Sequence, residues 1–423
     1  MRLMKLPVCW KRGLPLLTLL SLCPHFAAAV TLTTLTPARE ALQAQGVTVD
    51  INYTSEDAAN LSGGAKHSFA HAGQLGLGAQ LDLDRLWGWP DTKAQVALSL
   101  RDGDNLNTRA GLGQQLHSQE VYGRGSIWRL GSLWLSRRWA SSGIKLKVGR
   151  MGVGEDFNTL DCMAMNLTFC GSQPAMIVGD YWLNGPASQW GAVMEFSPED
   201  ARYVRLGVYQ VNPRYTDEQG GGLRLAPSGT VGTLTPIELG WNGKTNGLSH
   251  HYAVGAWYSS APRADAWQDV QGQAWVDSSL APALRSGAYG AWLSVHRQLT
   301  PGNRSSDQAG LEVKFDAVGT DHRTGAVVGT AHAILIYTAP WATRPSDQLG
   351  LGVGATEINP RARQESGDER SSANIEYTAE AFFAYHWHRG VVLQPVVQYV
   401  VHPGGRSSTP DALVVGLKTQ LSF

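Results

Sequence analysis

The sequence predicts an all-β protein: a transmembrane antiparallel β-barrel of about 16 strands with a short N-terminal helix. Three observations carry this. An export signal opens the chain, yet no later apolar run is long enough to cross a bilayer as a helix. Segment after segment alternates apolar with polar residues. The closing stretch has one oily face and one wet face and stops on an aromatic residue.

Residues 1–29 have the layout of a cleavable signal: basic Arg2, Lys5, Lys11 and Arg12, an apolar run from Leu14 to Leu22, then Ala27, Ala28 and Ala29. The apolar run falls short of the roughly 20 residues a spanning helix needs. The segment holds four basic and no acidic residues, so its loss takes a chain of 35 basic and 35 acidic residues to a net charge of −4. That balance excludes a nucleic-acid binder. Cys9 and Cys23 leave as well. The remaining Cys162 and Cys170, in an oxidising compartment, most simply pair.

Residues 30–46 make a short periplasmic helical segment. Thr36 is its N-cap, Pro37 takes the first helical position and Gly46 stops it. Residues 47–423 form the barrel. The best segments alternate cleanly: Val96, Leu98 and Leu100 against Gln95, Ser99 and Arg101; Ile144, Leu146 and Val148 against Lys145 and Lys147; Leu311, Val313 and Phe315 against Glu312, Lys314 and Asp316. Side chains in a strand point to opposite faces in turn, so lipid outside and water inside explain an apolar face backed by charges of both signs. In the closing stretch Leu413, Val415, Leu417, Thr419, Leu421 and Phe423 oppose Ala412, Gly416, Lys418, Gln420 and Ser422, with Val414 an apolar intruder on the wet side. The segments 127–139 and 328–339 are mixed on both faces and have no assigned orientation. Short turns at Ala140–Ser142, Pro198–Glu199 and Gly243–Gly247 alternate with long loops at Asp102–Gly125, Gly152–Gln173, Pro213–Thr233 and Ser260–Pro282. That asymmetry between rims is a barrel habit, and sixteen strands enclose an aqueous channel.

Four stretches resemble the carbohydrate-selective porin family of the OprB type: VTVDINYTSEDAANLSGG from Val47, KVGRMGVGEDFNTLDCMAMNLTFCGSQP from Lys147, QWGAVMEFSPEDARYVRLGVYQVNPR from Gln189, and LQPVVQYVVHPGG from Leu393. The resemblance implies a sixteen-stranded outer-membrane barrel that passes small, glucose-like sugars by diffusion into the periplasm. It leaves monomer and homo-oligomer both open. Pro213–Thr233 departs from the family pattern. Pro395, inside a strand, implies a bulge or a local break.

A sugar pore needs a constriction, polar groups of both signs and an aromatic face, with weak binding so that the solute leaves. Gly152–Gln173, closed by Cys162–Cys170, is the candidate constriction. Arg101, Lys145, Lys147 and Arg205 are expected in the lumen, with Glu195 and Glu312 as acidic counterparts. Glu155, Asp156 and Phe157 open the loop, and Tyr181 and Trp182 follow it as a candidate stacking surface. Alternation places Arg150 outward or at the rim. Enzyme signatures are weak. His386 with His388, and His250 beside His251, lack a supporting carboxylate or cysteine, so no metal site is assigned, and no cofactor is implied. Gly350, Gly352 and Gly354 precede no helix and make no phosphate loop. An outer-membrane barrel enzyme, a non-selective porin and a secreted lectin remain as other classes.

Overall fold

In the computed structural model, residues 36–199, 201–220, 222–274, 278–302, 310–364 and 374–423 are described; the expected signal segment, 1–29, lies outside them. Helix α1 (Thr36–Ala44) precedes the sheet, and Gly46, at φ 95°, ends it. Arg39 then donates to the backbone carbonyl of Phe423, tying the helix to the end of the last strand.

Sixteen strands close into one antiparallel barrel. They are β1 (Val47–Ser62), β2 (Phe69–Asp82), β3 (Thr92–Gly103), β4 (Trp128–Trp139), β5 (Ile144–Met151), β6 (Gln189–Glu199), β7 (Arg202–Val211), β8 (Gly232–Thr245) and β9 (Leu248–Ser259), followed, after a hairpin, by β12 (Ala288–Gln298), β13 (Gly310–Thr320), β14 (Val327–Thr338), β15 (Gln348–Ile358), β16 (Ile375–His388), β17 (Val391–Val401) and β18 (Ala412–Ser422). The hairpin, β10 (Arg263–Asp269) with β11 (Pro282–Arg285), stands apart from the barrel; its first strand lies inside the expected loop 260–282 and its second runs past that loop's end. Each barrel strand pairs with its neighbour in chain order, and β1 closes on β18 with Glu56 opposite Lys418. Closure leaves no free sheet edge, which a span through hydrocarbon requires. No helix among the described residues is long and apolar enough to cross a membrane.

Register fixes which side chains face out. Leu146, Val148, Met194, Phe196, Val204, Leu206 and Val208 are all exposed on the outer surface. Both unassigned segments now have an orientation. In β4, Leu133 and Leu135 face out while Ser132, Trp134 and Ser136 face in, after a register shift between Ala97 and Leu98 of β3 absorbs one residue. In β14, Leu335 and Tyr337 face out, whereas Thr330, His332, Ile334 and Ile336 are buried inward. The pattern looked mixed because Ile334 and Ile336 pack on a loop inside the barrel, together with the intruder Val414, Met165 and Phe169. Pro395 breaks nothing on its β18 side, where it stands opposite Leu417. Toward β16 the pairing runs from Phe382↔Val396 to Tyr385↔Leu393 without a change of register, so the proline marks a gap in the ladder, not a bulge.

Both chain ends of the barrel lie at one rim, with short turns such as 140–142. Asn246 (φ 53°) and Gly247 (φ 79°) turn β8 into β9 with two left-handed residues, the geometry that matches strand twist. The opposite rim carries the long connections, 104–127, 152–188, 212–231 and 260–287. Arg150 has the outward parity expected of it. It is buried beneath the loop 212–231, its guanidinium 3.9 Å above the Tyr215 ring and donating to Ser188 O at 2.7 Å.

Candidate functional site: a constriction built by an infolded loop

The connection between β5 and β6 turns into the barrel and is fastened to the wall at several places. Near its start, Gly152 N and Trp134 Nε1 donate to Glu155 at 3.0 and 3.1 Å. Lys147 pairs with Glu155 at 3.5 Å and, more closely, with Asp156. Next, Asn158 N donates to Glu238 at 2.9 Å and Asn158 Nδ2 to Asp316 at 3.0 Å. Asp161 meets Lys314 at 3.2 Å. Lys418 donates to the carbonyls of Cys162 and Ala164 at 3.2 and 3.0 Å. Glu380 accepts from Met165 N and Asn166 N at 2.8 and 2.7 Å. The loop backbone brings donors and acceptors that no sheet satisfies, and wall side chains satisfy them. Cys162 and Cys170 are disulfide-bonded, so the tip is a closed ring.

The loop divides the lumen. On the side of the long loops, a cavity of about 480 Å³ is lined by Arg101, Glu120, Arg124, Glu155 and Cys162, among others. On the other side, a cavity of about 440 Å³ is lined by Asp161, Met163, His251, His296, Glu312 and Lys314, among others. Consecutive residues Asp161, Cys162 and Met163 border the two chambers in turn, so this segment forms the partition.

All the charged wall residues singled out from sequence have inward register: Arg101, Lys145, Lys147, Glu195, Arg205 and Glu312. Arg101 donates to Gln74 at 2.7 Å and to Tyr122 O at 3.3 Å. Arg205 holds Glu195 at 2.6 Å and Glu238 at 3.3 Å, and donates to the carbonyl of Asp156. Lys147 is roofed by Glu155 and Asp156 and is only 6% exposed, so it steadies the loop more than it meets a solute. The result is a basic wall on β3, β5 and β7 facing an acidic loop. Burial pushes the Glu155 carboxyl above its ordinary range, with Lys147 pulling the other way. Its negative charge should therefore disappear at a pH above that of a free carboxylate. Reversal potentials in a planar bilayer should show cation preference falling through that range, and Glu155→Gln should flatten the curve.

One expectation needs correcting. Trp182 offers no stacking face to the lumen. It is 0% exposed, packed edge-on against Trp257 and Trp292 at centroid distances of 5.4 and 5.6 Å. Tyr181 is buried beside it, accepting from Trp257 Nε1 at 3.1 Å, and Phe157 packs on Tyr209 and Trp292. These aromatics glue the loop to the wall. Trp134 has inward register and is partly exposed, with Lys147 Nζ 5.3 Å from its centre, and the aromatic that lines the outer chamber is Tyr122. Sequence reasoning put Asp316 on the wet face but gave it no role, and it passed over Glu238 and Glu380, although their inward parity was readable beside Ile237 and Leu239, and Ala379 and Ala381.

The sequence matches the carbohydrate-selective porin, OprB family over residues 66–423. The chain belongs to that family. The porin is 33% identical to Porin B of Pseudomonas aeruginosa over 407 residues, 91% of this chain and 89% of that one. It is 32% identical to the putative porin QuiX of Acinetobacter baylyi over 415 residues, 91% of each. A solved structure of Pseudomonas putida OprB at high pH superposes with a TM-score of 0.87 and 32% identity, covering 92% of this porin and 97% of that chain. The porin is thus an outer-membrane, carbohydrate-selective channel.

Proposed function

We propose that the porin admits small, glucose-sized sugars by passive diffusion, and that it catalyses no reaction. The observation that carries this is the pairing of a basic wall with an acidic loop across one aperture. Arg101, Lys145 and Arg205 supply donors; Glu155, Asp156 and Glu195 supply acceptors; Glu312 extends the acidic lining into the inner chamber. Sugar hydroxyls both give and accept, so they exchange partners with such a lining at each step. Arg is suited to this because its planar fork keeps its charge and its geometry. The neighbouring lining residues hold one another in ion pairs, so a passing sugar competes for them and is held only weakly, as flux requires.

Liposome swelling in glucose, maltose and an amino acid at equal osmolarity tests the reading. Glucose should enter fastest, and equal rates for all three would overturn selectivity. In a planar bilayer, Arg101→Ala and Arg205→Ala should each weaken sugar-induced block of the single-channel current. If both leave the block unchanged, the assignment of the aperture fails.

A further inference from the structure

Two histidines in the inner chamber have the arrangement of metal ligands. His251 on β9 and His296 on β12 are direct cross-strand partners with inward register. Their ring centroids are 5.4 Å apart. Two imidazoles bound to one ion, each nitrogen about 2 Å from the metal, stand with centroids about 5 Å apart. Each ring is oriented from behind. His251 Nδ1 donates to Asn242 Oδ1 at 2.7 Å, and His296 Nε2 donates to Asp316 at 3.1 Å. A ring nitrogen that gives its proton to an oxygen leaves the other nitrogen with a free lone pair, which is how metal-binding histidines are usually fixed. Those free nitrogens are His251 Nε2 and His296 Nδ1, and both rings line the cavity of about 440 Å³.

Asp316 is itself fixed. It accepts from Ser294 Oγ at 2.5 Å as well as from Asn158, and is fully buried. Glu312 lines the same chamber and brings negative charge to it. His250, adjacent in sequence, has no part in the pair: it stacks on Tyr252 with centroids 5.0 Å apart and meets Trp241 edge-on. His250 and His251 have opposite register on β9, although both border the cavity, and the structure supplies His251 with a different partner across the strands.

We propose that His251 and His296 form a two-imidazole site for a late first-row divalent cation, such as Cu²⁺ or Zn²⁺, beneath the constriction. Imidazole suits these ions, and Cu²⁺ binds most tightly of the series. Occupation places a positive, hydrated ion in the inner chamber and reduces the current.

Cu²⁺ is the probe. Added to the detergent-solubilised porin, it should give an electron paramagnetic resonance spectrum with coupling to two equivalent-class nitrogens. His251→Gln and His296→Gln should each remove that signature and weaken binding by about tenfold or more, while His250→Gln should retain it. In a planar bilayer, Cu²⁺ should lower single-channel current, reversibly on adding EDTA, in the parent and His250→Gln but not in the other two. Heat-modifiable gel mobility checks that each variant is a closed barrel, and His251→Asn and His296→Asn serve as second variants. A spectrum without nitrogen coupling, or one that survives both substitutions, overturns the site. The spectrum is independent of sugar transport, so its failure leaves the reading of the channel untouched.

Discussion

A porin carrying Lys418→Met should still insert and close, yet unfold on heating in detergent well below the parent. Lys418 stands on β18 opposite Glu56 of β1, at the seam where the first and last strands meet. Its amine is fully buried, 3.3 Å from Glu56 and 3.1 Å from Glu120, and it also donates to the carbonyls of Cys162 and Ala164. Glu120 belongs to the loop 104–127, and the two carbonyls to the infolded loop. One nitrogen therefore holds the seam and both loops together. Removing one partner of a buried ion pair costs about 3–5 kcal/mol, because the charge left behind has neither water nor partner. Arg should not rescue it, since a larger fork has no room where a fully buried ammonium fits. Glu56→Gln and Glu120→Gln added to Lys418→Met should recover much of the loss, because they remove the stranded charges. The measurement is the temperature at which the heat-modifiable band shifts. Equal temperatures for parent and Lys418→Met would show that the triad carries no stability.

The barrel was legible because its code is local. Whether Leu146 faces lipid and Lys147 faces water follows from their positions in one strand, and the same rule placed Arg101, Glu195, Arg205 and Glu312 on the inner wall. The constriction was legible only in outline. A long loop with a cysteine pair announced itself, but where it touches the wall did not. Asn166 and Glu380 are 214 residues apart, and a backbone N–H has no sequence signature. The same gap hid the reason for the inward apolar residues. Ile334, Ile336, Val396 and Val414 blur the alternation of their strands because a loop from elsewhere lies over them.

Trp182 failed for a related reason. A tryptophan beside a pore loop fits stacking on a sugar, fits an interfacial girdle and fits a packed contact, and only the partners decide. Trp257 and Trp292 are those partners. The glycines of β15 have a purpose that sequence reasoning did not assign: a Cβ on Gly354 would stand 2.4 Å from Thr168 Cγ2, and one on Gly352 2.9 Å from the Phe169 ring. The loop lies on the wall at a distance only glycine permits.

Glu380→Ala should open the channel, with higher single-channel current and a glucose-to-maltose swelling ratio that falls toward one. The carboxylate takes two loop N–H groups, from Met165 and Asn166, three residues beyond the partition at Cys162. Bonds to a charged acceptor contribute about 1.5–3 kcal/mol each, and the two donors are buried, so losing them detaches this side of the loop. Glu380→Gln is the finer probe. It keeps the shape, but turns an amide N–H toward one of the two donors, so one bond becomes a donor–donor contact. Its effect should lie between the parent and Ala. Replacing both Cys162 and Cys170 by Ser should do less than Glu380→Ala. The ring they close spans a sequence separation of 8, while Lys418, Gln398 and Glu380 still hold the ring itself, at Ala164, Met165 and Asn166. A disulfide limits what the tip does once loose, whereas the carboxylate decides whether it comes loose. If the double serine variant widened the channel more than Glu380→Ala, the covalent ring would be the principal restraint and the latch secondary.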